Sequence, residues 1–249
     1  MLRPRPLSLA SAAAISCVAA VALATPPSRM EIQIALCDTP DAIVRALDLR
    51  PREAAYRTYL FDDVALTLLG HGLRLRLRVR AADGELALKA ADQPCDALPA
   101  GLVPQREGKC EYDLHGDRLA GAVSLATRLD AAATADLVAG RIPVAEVLSP
   151  AQVRFLRDAT RAWPLPPDLR ALGPLENTVY ATRDKRYDVD VQRLPSGRTY
   201  VEVSAKVPVA RGDAARRALD AHLARAGVAV CADQAGQAGN RLRSLVGPR

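Results

Sequence analysis

Alternation of apolar and polar positions marks most of this chain's elements. Met30 to Cys37 (MEIQIALC) alternates with period two and predicts a strand. Asp38-Thr39-Pro40 supplies a cap with proline in the first turn, so Asp41 to Leu49 reads as a short helix. Ala55 to Phe61 predicts a second strand, and Asp62 to His71 a turn or single helical turn. Gly72 to Arg80 (GLRLRLRVR) is the cleanest alternation of all. Asp83-Gly84 reads as its hairpin turn and Glu85 to Ala90 as the returning strand. A proline-bearing loop over 91–106 leads to a strand at Gly108 to His115. Asp117 to Arg161 is helical in character, with breaks near Gly140 and at Ser149-Pro150. Trp163 to Pro174 is a proline-rich connector. Strands resume at Asn177 to Gln192, turn at Pro195-Ser196-Gly197 and return from Arg198 to Val207. An amphipathic helix covers 213–226, and a Gly/Gln-rich tail follows. Antiparallel strands on both sides of a helical insert predict one α+β domain, built as a closed or nearly closed barrel.

Composition narrows the classes. The 249 residues are 49% apolar and 25% charged, as in ordinary globular proteins. Aromatics are only 4%, so the core is built from Leu, Val and Ala, and a base-stacking nucleic-acid platform is excluded. Thirty Arg against four Lys give a net charge of +6. An arginine-dominated surface suits oxyanions that accept two hydrogen bonds from a planar guanidinium, such as phosphate or carboxylate, although GC-rich coding produces the same bias, so position has to decide.

Arg3 and Arg5 precede an apolar run from Leu7 to Ala24, with Ala22-Leu23-Ala24 as a cleavage site, which predicts a signal peptide over 1–24 and a domain over 30–245. Ala14-Ile15-Ser16-Cys17 offers lipidation at Cys17 as an alternative, and an uncleaved N-terminal anchor a third. The expected location is therefore periplasmic or secreted, with no membrane contact beyond the N-terminus. Cleavage lowers the net charge to +4. Export leaves Cys37, Cys95, Cys110 and Cys231, an even number that suggests disulfides with three connectivities open. A Cys95–Cys110 pair would close a short loop, worth about 3 kcal/mol in the chain-entropy model. A Cys37–Cys231 pair would tie the first strand to the tail. No CxxC, HExxH, G-x-S-x-G, Walker loop or G-x-G-x-x-G occurs.

Period two also sorts the charged residues by face. Arg74, Arg76, Arg78 and Arg80 share one face of their strand, opposite Leu73, Leu75, Leu77 and Val79. On a solvent-facing strand they bind nothing in particular; inside a polar barrel they line a tunnel, with Lys89 facing the same way. Glu31 with Gln33, Glu111 with Asp113, Asp188 with Asp190, and Glu202 with Ser204 form polar pairs on other strands. Carboxylates on such a wall suit hard divalent ions that bridge phosphate oxygens, while the cations meet the remaining phosphate charge.

The order of these motifs resembles the CYTH, or triphosphate tunnel metalloenzyme, family. Glu31-Ile32-Gln33-Ile34-Ala35 stands where that family has its ExExK strand, and Tyr59 to Asp63 (YLFDD) resembles its tyrosine-to-aspartate strand end. Leu66 to Arg76 (LTLLGHGLRLR) is similar to its L-x-x-x-G-x-x-LRxR segment. Leu86 to Lys89, Lys109 to Asp113 (KCEYD) and Tyr200 to Ser204 (YVEVS) resemble its later strands. The resemblance implies an eight-stranded antiparallel tunnel that binds triphosphate or a related small polyanion, with Mg or Mn as cofactor. By matching positions, Arg74, Arg76, Lys89 and Arg186 would meet phosphate, with Arg183 as the alternative to Arg186. Glu31, Glu111, Asp113 and Glu202 would lie on the metal side, with Asp190 as a further candidate. Gln33, Ala35 and Ser204 depart from the pattern and remove two carboxylates and an ammonium, which weakens a metal site. The expected function is thus an exported polyanion-binding domain with weak or no hydrolysis. A metal-dependent triphosphatase or polyphosphatase, and a purely structural envelope domain, are the alternatives.

Overall fold

The structure is a computed structural model that describes residues 27–99, 107–234 and 237–246. The N-terminal segment, including 1–24 and Cys17, lies outside the described residues. Ten strands occur among them: β1 (Arg29–Leu36), β2 (Arg50–Pro51), β3 (Tyr56–Asp62), β4 (Leu73–Arg80), β5 (Asp83–Ala91), β6 (Gly108–His115), β7 (Arg118–Leu129), β8 (Arg170–Ala181), β9 (Asp188–Arg193) and β10 (Thr199–Pro208). The helices are α1 (Pro40–Ala46), α2 (Thr67–Gly70), α3 (Ala131–Val138), α4 (Pro150–Asp158), α5 (Gly212–Ala226) and α6 (Gln237–Val246).

The order β8-β3-β4-β5-β7-β6-β1-β10-β9, with β9 pairing back to β8, closes a barrel of nine strands; β2 only extends it beside β8. The expected eight-stranded antiparallel barrel is therefore corrected. A ring with an odd number of strands cannot alternate direction throughout, and the parallel pair β1–β6 absorbs the mismatch. The extra strand is β7, expected as helix. Its Arg118–Leu129 segment is rich in Ala and Leu, a composition that favours helix, but it fills the gap between β5 and β6 as their antiparallel neighbour. β8 begins inside the expected connector. The expected strand over 177–192 is broken by a hairpin at 182–187. The β4–β5 turn sits at Ala81-Ala82, with Ala81 at φ 52°, two residues before the expected Asp83-Gly84.

The barrel is apolar outside and polar inside, because each strand presents alternate residues to the two faces. Leu73, Leu75, Leu77 and Val79 of β4 pack outward with Leu86 and Leu88 against Leu137 of α3 and Phe155 and Leu156 of α4. Ile32 and Ile34 of β1 pack with Val201 and Val203 against Ile43 of α1 and Leu219 and Leu223 of α5. Ser149 caps α4 and exchanges hydrogen bonds with Gln152. The buried Gln152 amide also donates to the carbonyls of Leu86 and Leu125, stitching the helix to β5 and β7. Disulfides join Cys37 to Cys231 and Cys95 to Cys110. The first straps residues 229–234 along the end of β1, where Leu36 bridges Val230 and the Gln234 amide pairs with both the N–H and the C=O of Ala35. Both bridges are compatible with an oxidising, exported location. No helix among the described residues is long and apolar enough to cross a membrane.

Candidate functional site

The inward faces of the strands enclose a lumen of about 560 Å³, lined mainly by charged and amide side chains. That volume is in the range of small-molecule sites. One end carries the most exposed lining residues, among them Arg52 and Arg80, and forms the open mouth. At the other end α6 packs Leu242 against Leu60, Leu172, Leu175, Leu194 and Tyr200. Tyr200 Oη and Ser244 Oγ are 3.2 Å apart across the same contact.

The arginine face of β4 lines this lumen rather than the outer surface. Its four members differ in their partners. Arg80 bonds Glu53 at 3.0 Å and lies 4.4 Å over the Tyr56 ring, and Arg78 sits 3.8 Å from Glu85. Arg74 and Arg76, deeper in, have no carboxylate within 4 Å among the described residues, and Arg76 Nε is buried without a hydrogen-bond partner. Burial pushes the Arg76 guanidinium down to about 9, with Arg78 adding repulsion, and pushes Arg74 down as well, with Arg241 adding to it. Lys89 faces the lumen too and pairs with Asp113. Arg186 does not: it lies on the exposed 182–187 hairpin, bonded to Asp184 at 2.5 Å, because β9 starts two residues later. Arg183, on the same hairpin, pairs with Asp48. Neither of the two alternatives contributes to the lumen.

Of the expected metal-side carboxylates, Glu31, Glu111 and Asp113 converge, with oxygens all within 4.8 Å of one another. The parallel register of β1 and β6, which sets Glu31 beside Asp113, makes this possible. Glu202 stands apart, with Arg241 at 3.7 Å as its partner. Each of the three converging carboxylates also has an ammonium: Lys109 bonds Glu111 at 2.5 Å, Lys89 pairs with Asp113, and Lys206 stands 3.6 Å from Glu31. Asp113 Oδ1 is buried without a hydrogen-bond partner. An all-oxygen donor set with one unsatisfied oxygen fits a hard divalent cation.

The wall facing β4 is acidic. Burial raises the carboxyl groups of Glu202 and Asp190 above their ordinary range, although Arg241 opposes the shift in both. Asp190 accepts from the Gln192 amide at 2.8 Å. His115 also lines the lumen, and burial pushes it down to about 4 against the pull of Asp113, so the imidazole is neutral at pH 7. Gln33 and Ser204 face the lumen where carboxylates were lacking in the sequence. Lys109, Lys206 and Arg241 are lumen cations that strand-by-strand reading missed. Lys109 carried a usable signal, since it shares the period-two face of Glu111 and Asp113. Asp62, in the expected strand-end motif, instead accepts backbone N–H bonds from Asp63, Leu68 and Leu69 and shapes the α2 turn.

No protein-family model matches the chain, and no curated protein matches it in sequence. Its structure, however, is similar to two solved proteins. One is from Hippeastrum, named as a candidate adenylyl cyclase and described as having a dominant triphosphatase activity. It is 15% identical, with a TM-score of 0.58, covering 86% of this chain and 95% of that one. The other is a candidate adenylate cyclase from Bacillus halodurans, 16% identical, with a TM-score of 0.51, covering 85% of this chain and 98% of that one. At this identity the likeness concerns the fold. The closed barrel expected from the strand pattern is the fold the chain adopts, and it shares that fold with both proteins.

Proposed function

We propose that this protein is an exported tunnel domain that binds triphosphate or a related small polyanion, with weak or no hydrolysis. One observation carries the reading: Arg74 and Arg76 are held inside the lumen without carboxylate partners, whereas the other strand-borne cations of the lumen each face an acid. Both side chains are half-buried, with Arg76 Nε fully so; withdrawing a guanidinium from water without a partner is costly, and an oxyanion ligand offsets that cost through bidentate, charge-assisted hydrogen bonds. Similarity to tunnel proteins, one of them described as a triphosphatase, supports the same ligand class.

A metal-dependent phosphohydrolase is the second reading, favoured by the convergence of Glu31, Glu111 and Asp113. These residues would hold Mg or Mn, which when bound would neutralise and bridge phosphate oxygens. Against turnover stands the lysine already paired with each carboxylate, together with Gln33 and Ser204 in neutral positions. The ammonium groups would have to leave their carboxylates for the ligand as the cation arrives.

Tripolyphosphate, with and without Mn, separates the readings. Binding to the folded state alone stabilises by about 2.7 kcal/mol at a hundredfold excess over Kd. Thermal stabilisation without phosphate release supports the binding domain. Release that requires Mn and disappears in Glu111→Ala supports the hydrolase. Neither effect would leave only a structural envelope domain.

A further inference from the structure

The charge distribution around the lumen is lopsided. The β4 and β5 side brings Arg74, Arg76 and Lys89. The opposite side, made by β1, β9 and β10, brings Glu31, Asp188, Asp190 and Glu202, and its one strand cation, Lys206, belongs to Glu31. A polyanion held by Arg74 and Arg76 would therefore face a wall of like charge. Two cations enter this wall from outside the barrel strands: Arg52, exposed at the mouth and paired with Asp188, and, at the deep end, Arg241. Carried on α6, its side chain is 13% exposed, donates to Gln192 Oε1 at 2.9 Å and stands 3.7 Å from Glu202. The helix is anchored, not a loose end: Leu242 is buried in the end-closing cluster, and the chain leading to α6 is strapped to β1 by the Cys37–Cys231 disulfide and the Gln234 amide.

We propose that Arg241 is a ligand-contacting cation, so that the C-terminal helix forms part of the binding site and the tunnel grips its polyanion from both walls. This rests on the polyanion reading above. The guanidinium bonds Gln192 and stands 3.7 Å from Glu202, an ion pair looser than a hydrogen bond. Donors left over from that arrangement meet the ligand's oxygens on the side that the β4 arginines do not reach. A guanidinium suits this double duty, since its fork serves a carboxylate and an oxyanion at once.

Tripolyphosphate titrated calorimetrically into the oxidised full-length protein in EDTA tests the inference. Arg241→Met keeps the aliphatic stem and the α6 packing but removes the charge. It is expected to weaken binding about tenfold or more, the worth of a charge-assisted hydrogen bond. Arg241→Lys, which keeps the charge but not the fork, is expected to bind more weakly than the wild type and more tightly than Arg241→Met. The decisive comparison places Arg241→Met in a Glu202→Gln background, where no buried carboxylate loses its partner and folding is protected. A tenfold loss that persists there supports ligand contact. Binding by Arg241→Met within twofold of the wild type, or a loss that vanishes in the Glu202→Gln background, overturns it and reduces Arg241 to a structural partner of Glu202. A wild type that does not bind at all is a different result, which removes the polyanion reading and this inference with it.

Discussion

Replacing Arg76 with Met should make the empty protein more stable while making it blind to tripolyphosphate. Arg76 sits mid-strand between Arg74 and Arg78 on the same face, its Nε lacks a partner, and burial and its neighbours push it down to about 9. A buried polar group without a partner costs about 1–3 kcal/mol, more for a charged one. Methionine keeps the stem's contacts and removes the charge, so a gain of about 2 kcal/mol is expected. For a domain of this size each kcal/mol moves Tm by about 2–4 °C, which places the variant roughly 4–8 °C above the wild type. The sign of the pH dependence follows from the lowered native pKa. Above about 9, and up to the ordinary arginine range, the unfolded chain binds more protons at this site than the native one, so wild-type stability from this group rises with pH. The variant's advantage should be full near pH 7 and shrink above pH 9. Thermal unfolding at pH 7 and pH 10, with and without tripolyphosphate, measures all three effects. A destabilised Arg76→Met, or one that keeps the ligand-induced Tm shift, would refute the view that this guanidinium is held at a cost for a ligand.

Three further outcomes are expected. Gly84→Ala should lose about 1–3 kcal/mol in chemical denaturation, because the added methyl would lie 2.5 Å from Thr134 Oγ1 and 2.8 Å from Leu77 Cδ1; a neutral result would mean that α3 shifts freely. Replacing Cys37 and Cys231 together with Ser should cost up to about 5 kcal/mol, since that bridge closes a 194-residue separation, and more than replacing Cys95 and Cys110, 15 residues apart. Glu202 has a native pKa raised above 4.5 by burial, so the native state holds its proton to higher pH than the unfolded chain does. The stability of the wild type relative to Glu202→Gln should therefore improve as pH falls through the raised native pKa toward 4.5, and a flat difference would contradict the burial of that charge.

Much of the tunnel wall was legible because strand parity is local. Arg74, Arg76, Lys89 and Glu31 reach the lumen from alternations visible within eight or nine residues, and the same parity brings Glu111 and Asp113 together with Glu31. β7 was not legible, because its inward Ala122, Ser124 and Ala126 are too small and too weakly polar to mark a face, and the same residues favour helix. Arg186 was misplaced because the chain turns at 182–187, within what read as one strand. The Asp83-Gly84 pair looked like a turn, yet its glycine answers the close approach of Thr134 from α3. Arg241 lay beyond any local pattern. Its role arises from a helix laid across the barrel end, through contacts with Gln192, 49 positions away, and Glu202, 39 positions away.

A crystal of the oxidised protein grown with tripolyphosphate tests the polyanion tunnel most directly. The expected result is phosphorus density inside the lumen, with phosphate oxygens within hydrogen-bond distance of both Arg74 and Arg76. Ligand bound only on the outer surface, or a lumen in which both guanidiniums meet nothing but water at saturating tripolyphosphate, would contradict it.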